Sequence, residues 1–220
     1  MSRILKFGRK PAASGRAKSL VVFLHGYGAN GADLLDIGDV LAPHLADTAF
    51  AAPDAADRIS GAPSGYQWFP IPRFDGSSEA QARLGLQRSA QDLNAFLDQR
   101  LAHEGLGPEA LALVGFSQGA MMSLELAPRR AVAPAAVVAI SGRLIQPQRL
   151  ATEATAKPPI LIMHGDQDQV VDFDEMALAA NALAAAGFDV FGHVMKGMGH
   201  GISQDGLASM LGFLKQFLPG

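Results

Sequence analysis

The stretch that most narrows the choice of folds is Leu111-Ala112-Leu113-Val114-Gly115-Phe116-Ser117-Gln118-Gly119-Ala120-Met121-Met122. It reads as a short apolar strand, a glycine-flanked serine, and the first turn of a helix. A strand without polar alternation is one covered on both faces, as in the parallel sheet of an α/β protein. The turn between strand and helix has to be sharp. Side chains at positions 115 and 119 would collide with the neighbouring strand and helix, which accounts for both glycines. The serine hydroxyl is then lifted clear of the sheet at a helix N-terminus. There the free N–H groups and the positive dipole end favour a developing negative charge.

A Gly-x-Ser-x-Gly match alone is weak, because a strand–turn–helix with a solvated serine uses the same residues. The rest of the chain decides. Apolar runs recur at 19–24, 48–52, 135–140 and 159–163, and residues 188–195 alternate well enough for a strand. A short edge strand is expected at 4–7 and a loop at 10–18. Asn30 can cap a helix with the stripe Leu34, Ile37 and Leu41. Ser78 and Gln81 form a capping box ahead of Leu86, Ala90, Leu93, Leu97 and Leu101, with Gly105 and Gly107 ending that helix. Asp172 and Glu175 repeat the box before a helix running to Gly187. A last helix starts near Ser203 and buries Leu207, Met210, Leu211, Leu214 and Leu218. Strands and helices alternate from residue 19 onward. This predicts an α/β fold: a mostly parallel central sheet with helices on both faces, no large cap domain, and one domain over residues 1–220.

Residues 54–77 fit neither period. They hold Pro63, Pro70, Pro72 and the only tryptophan, Trp68. So long a loop in a compact domain is either functional or a surface excursion whose aromatics cover the core, and both readings stand.

Composition removes several classes of function. A chain of 220 residues that is 49% hydrophobic and 18% charged should pack a sizeable core. A net charge of −3 argues against nucleic acid or an anionic membrane surface as the main partner. No apolar run approaches the ~18 residues of a membrane span. The first ten residues are basic but lack an apolar segment, so no secretory signal is expected and the cytoplasm is the default compartment. The absence of cysteine removes disulfides, thiolate metal sites and a cysteine nucleophile together.

In a parallel sheet, ligands collect at the carboxyl ends of the strands. Those ends deliver His25-Gly26-Tyr27, then Ser117, then Asp166 and Asp168, and finally His200. A nucleophile, a carboxylate and a histidine therefore follow one another in the order Ser…Asp…His. Ser117 needs a base to take its proton. Of the six histidines, His44 and His103 fall beside helices and His193 within a strand. His25 and His164 precede glycine in turns, where structural hydrogen bonds are expected. His200 alone sits in a glycine loop after the acid and can reach the serine. The residues alone leave the acid as Asp166 or Asp168.

Four motifs carry a family resemblance: Leu24-His25-Gly26-Tyr27-Gly28, Gly115-Phe116-Ser117-Gln118-Gly119-Ala120, His164-Gly165-Asp166-Gln167-Asp168-Gln169-Val170-Val171 and Gly199-His200. With them the chain resembles the phospholipase/carboxylesterase family of α/β hydrolases over nearly its whole length. The resemblance implies a serine carboxylesterase with a Ser117 acyl-enzyme, His200 as base and Asp168 as the acid that orients it, leaving Asp166 a structural part. It implies small esters as substrates, with thioesters, lysophospholipids and acylated proteins as further candidates, and no metal or organic cofactor. It places the oxyanion-binding N–H groups on Gln118 and Tyr27. Backbone donors do that work, so a side-chain change at Gln118 is expected to matter less than distortion of the turn. It implies an acyl groove lined by Trp68, Phe69 and Ile71 from the long loop, with Val170 and Met121 near the triad; core packing is the simpler role for Met121. The chain departs from the family at Gln169, where many relatives have proline, and at Arg143, where many have an aromatic or aliphatic residue. A cation at that rim suits a substrate with an anionic end, or is simply solvated. An acyltransferase, a peptidase and a non-catalytic binding module are the competing readings. Oligomeric state stays open, a homodimer included. A histidine base predicts activity that falls on the acid side as the imidazole takes up a proton.

Overall fold

The computed structural model describes residues 2–59 and 65–219. Residues 60–64 of the long loop, Pro63 among them, lie outside the described residues. In chain order the elements are β1 Phe7–Lys10, β2 Ser19–Leu24, α1 Ala32–Leu35, α2 Ile37–Leu41, β3 Thr48–Pro53, β4 Asp57–Arg58, β5 Tyr66–Gln67, α3 Pro72–Asp75, α4 Glu79–Glu104, β6 Leu111–Phe116, α5 Gln118–Leu126, β7 Ala136–Ile140, α6 Leu150–Glu153, β8 Ile160–Gly165, α7 Asp174–Ala185, β9 Val190–Met195 and α8 Gln204–Phe217. Seven strands form one sheet in the order β1-β3-β2-β6-β7-β8-β9. All neighbours are parallel except the edge pair β1 and β3.

The apolar runs explain the layering. Every residue of β2 is buried. Its alternating pleat sends Leu20, Val22 and Leu24 into a core shared with Leu93, Leu97, Met122 and Leu183 of α4, α5 and α7. Val21 and Phe23 point the other way, towards Leu41, Met210 and Leu214 of α2 and α8. Burying each such side chain contributes roughly 1.5–3 kcal/mol. That is why β2, β3, β6, β7 and β8 carry almost no polar residues. The α/β architecture read from the sequence is the one observed.

Element ends moved where local chemistry competes with periodicity. The edge strand expected at 4–7 is instead Phe7–Lys10, whose ladder with β3 runs from Lys10↔Phe50 to Phe7↔Pro53. Pro53 offers no N–H, and Pro11 stops the other end. The helix after Asn30 is split into α1 and α2, though Asn30 Oδ1 does accept the Ala32 N–H at 2.9 Å. The Ser78–Gln81 capping box forms as read, and Gly105 closes α4 in the left-handed conformation, φ 69°. The second box does not form. The Asp172 carboxylate folds onto the Asp174 N–H at 2.9 Å, an Asx-type turn, and α7 starts at Asp174. Ser203 caps α8 by accepting the Gly206 N–H.

Candidate active site

Ser117 joins β6 to α5 with φ 53° and ψ −113°, a conformation that costs an L-residue of order 1–3 kcal/mol. The neighbouring strand holds it there, since the Ser117 N–H donates to the Ile140 carbonyl at 2.8 Å. The flanking glycines have the steric role expected. A Cβ on Gly119 would lie 1.9 Å from the Leu24 carbonyl oxygen, and one on Gly115 would lie 2.3 Å from that of Gly119. The first turn of α5 is thus pressed onto the carboxyl end of β2.

Two more strand ends converge on the serine. His200, in the loop after β9, has Nε2 3.0 Å from Ser117 Oγ and Nδ1 2.7 Å from Asp168 Oδ2. Asp168, in the turn after β8, is held by the N–H groups of Val170 and Val171, which donate to Oδ1 at 2.8 and 3.0 Å. Its side chain is buried. Burial pushes its carboxyl pKa up, but the His200 hydrogen bond and the two backbone N–H donors together outweigh that and leave it below the ordinary carboxylate value. Oδ2 faces His200, so Nδ1 carries the proton there and Nε2 is free to accept from the serine hydroxyl. Asp166 takes no part in this line. Its Oδ1 accepts the Gly197 N–H at 2.7 Å and fixes the loop that brings His200 round.

Of the other histidines, His164, expected in a turn, lies within β8, because the ladder with β9 runs on to Gly165. His44 and His103 are exposed. His193 pairs with Asp205 at 2.8 Å. The buried His164 has Nε2 3.0 Å from the Val171 carbonyl and 3.3 Å from Asp168 Oδ2. His25 is fully buried, accepts the Ala55 N–H at Nε2, and donates from Nδ1 to the Gly26 carbonyl. Burial lowers its pKa, against smaller raising effects from the Gly26 carbonyl and from Asp54 and Asp33. A histidine depressed in the fold supports stability fully above its unfolded value of ~6.5, and that support is lost as pH falls through the folded value. The melting temperature should therefore drop on acidification below about pH 6.5. A His25→Gln protein should show a shallower slope in that window; equal slopes would refute this assignment.

The N–H groups of Tyr27 and Gln118 have no acceptor among the described residues. Both residues border a cleft of about 640 Å³ that opens over Ser117 and His200. Phe69, Ile71, Val170 and Arg143 line it as the sequence suggested, and Met121 serves both the cleft floor and the core. Arg143 is exposed at the mouth, with no ion pair among the described residues. Trp68 requires a correction. It is 1% exposed and lies beneath the wall, outside the cleft lining. Its indole N–H has a buried carbonyl partner, and an aromatic so satisfied belongs in the core.

Sequence reading also missed lining residues. The Phe74 ring on α3 lies 5.6 Å from the Tyr27 ring, tilted by 54°, and Ala82, Arg83 and Leu86 of α4 form one side. The Pro-Ile-Pro run and the capping box were visible signals for helix starts at 72 and 79, but neither says which face meets the cleft. Among the described residues no three His, Asp or Glu side chains cluster as a metal site, and no helix is long and apolar enough to cross a membrane.

Residues 11–218 match the sequence pattern of the phospholipase/carboxylesterase family. The chain belongs to that family. Esterase YpfH of Escherichia coli (strain K12) is 30% identical over 203 residues, 92% of this chain and 84% of its own length. Acyl-protein thioesterase 1 of Debaryomyces hansenii is 27% identical over 236 residues, 99% of each chain. The crystal structure of esterase PE8 superposes with a TM-score of 0.92 at 41% identity, over 98% of this chain and all of that one. As a phospholipase/carboxylesterase family member, the protein is a serine hydrolase of the carboxylesterase and thioesterase class.

Proposed function

We propose that this protein hydrolyses carboxylic esters through an acyl-enzyme on Ser117, with His200 as general base and Asp168 as its orienting carboxylate. The observation that supports this most is the unbroken hydrogen-bonded line from Ser117 Oγ through both imidazole nitrogens to Asp168 Oδ2. The serine oxygen attacks the acyl carbon as its proton passes to His200 Nε2. The tetrahedral oxyanion is received by the N–H groups of Gln118 and Tyr27, which no other described group claims. His200 returns the proton to the departing alcohol or thiol. Water then repeats the sequence on the acyl-enzyme and releases the acid.

The acyl group lies in the cleft against Phe69, Ile71 and Val170. Arg73, Arg83 and Arg143 stand along the same cleft with Glu79 and Glu175, a polar mouth that fits small or polar esters better than a long alkyl chain. Thioesters follow by the same chemistry, because a thiol is a better leaving group than an alcohol.

The test is covalent. A fluorophosphonate should add once per chain, and digestion should place the adduct on the peptide containing Ser117. An activated ester such as p-nitrophenyl butyrate should block that labelling while it is being turned over. An adduct on another residue, or none on a folded protein, would overturn the proposal.

A further inference from the structure

Gln118 stands in the site twice, once through its backbone and once through its side chain. The residue is 1% exposed. Its Oε1 accepts the Trp68 N–H at 2.8 Å and its Nε2 donates to the Phe69 carbonyl at 2.7 Å. These partners fix which end of the amide is which, since a flipped side chain would set donor against donor and acceptor against acceptor. Trp68 extends the line. Its indole N–H donates to the His25 carbonyl at 2.9 Å, its ring lies 5.2 Å from the His25 ring, and its own carbonyl accepts the Ser89 hydroxyl. His25 is held from its other side by the Ala55 N–H and by its bond to Gly26. Tyr27 comes two residues after His25, with a glycine on each side; its ring lies 5.6 Å from that of Phe74, and the Gly28 N–H donates to the Tyr66 carbonyl at 2.9 Å.

The two N–H groups assigned to the oxyanion are therefore joined by one buried path. Hydrogen bonds carry it from the Gln118 amide to Trp68 and from the Trp68 indole to the His25 carbonyl, and the backbone of Gly26 carries it on to Tyr27. We infer that the Gln118 side chain and the Trp68 indole N–H are positioning residues that set the gap between the two oxyanion donors. The inference rests on the serine-hydrolase reading above and adds that the hole is spaced by side chains outside the cleft. The gap matters because an oxyanion donor works at 2.7–3.1 Å, and a misplacement near 1 Å can cost about 100-fold. Core packing alone would need the volume of the Trp68 ring but not its N–H, so the two roles separate.

Trp68→Phe keeps an aromatic ring and removes the indole donor. Gln118→Met keeps length and removes both amide bonds. Each should lower kcat on a neutral activated ester about 10- to 100-fold while KM stays within about twofold. Each should weaken a trifluoromethyl ketone, which binds as an oxyanionic adduct of the serine, by a matching factor. The wild-type protein is labelled with fluorophosphonate alongside; failure there overturns the serine-hydrolase reading itself. If the wild type labels but both variants keep kcat and ketone affinity within twofold, the spacing role is wrong, even if their melting temperatures fall. If Trp68→Phe does not fold, Gln118→Met decides alone, and ketone affinity within twofold of wild type overturns the inference.

Discussion

Ser117→Ala should leave a folded protein whose ester hydrolysis is down by about 10⁶ in kcat, on the scale of a serine protease that loses its nucleophile. On the proposed mechanism the change removes the group that carries the acyl chain, and His200 and Asp168 are left with nothing to activate. What survives is binding in the cleft and the backbone N–H groups, neither of which the substitution touches. Folding should be nearly unaffected. Alanine inherits the φ of 53° with the same Cβ, and the lost hydroxyl contacts only His200 in a site 8% exposed. The check is kcat on an activated ester together with a thermal melt. Adding Asp168→Asn to Ser117→Ala should cost almost nothing more, because the members of such a unit are not additive. A single variant retaining more than about 1% of wild-type turnover would remove Ser117 from the mechanism.

Asp168→Asn should cost about 10⁴ in kcat with KM little changed. The geometry gives a specific reason. Oδ1 faces two N–H donors, from Val170 and Val171. An asparagine must turn its carbonyl oxygen towards them, which leaves its NH₂ facing His200 Nδ1. Two donors cannot share that contact, so the imidazole moves its proton to Nε2 and points an N–H at the serine it should deprotonate. Asp166→Asn is the matched control, since its oxygen can still accept the Gly197 N–H. Its kcat should stay within a few-fold of wild type. Equal losses in the two variants would mean that the acid has been misassigned. Against the effect of burial, the Asp168 carboxyl is held below the ordinary carboxylate value by the His200 hydrogen bond and the two backbone N–H donors, so it stays ionised down to lower pH than a free carboxylate would.

The parts legible in the sequence were those fixed by burial and by sterics. Strands covered on both faces cannot hide, because β2, β6 and β7 would be insoluble anywhere else. The glycines beside Ser117 announce a backbone contact that any side chain would break. Asp168 and His200 could be placed because each follows a strand end, where the topology leaves few choices. The contacts of Gln118 could not. Its partners lie 50 and 49 residues away, at positions with no period to reveal them. The expectation that its side chain matters less than the turn leaves out these contacts, in which the amide bonds the Trp68 N–H and the Phe69 carbonyl. Trp68 misled for a related reason: a lone tryptophan in an irregular loop looks the same whether it faces a ligand or seals a core. The two-residue strands β4 and β5 were too short to leave a pattern.

The proposed nucleophile follows the fourth strand of the main sheet in chain order, and the proposed base comes only after the seventh, β9, a lateral strand that pairs with β8. The proposed chemistry is therefore complete only when β9 is paired with β8 and the loop after it has brought His200 to Ser117. Turnover regained during refolding would report the docking of that one lateral strand, which the bulk circular dichroism signal does not single out.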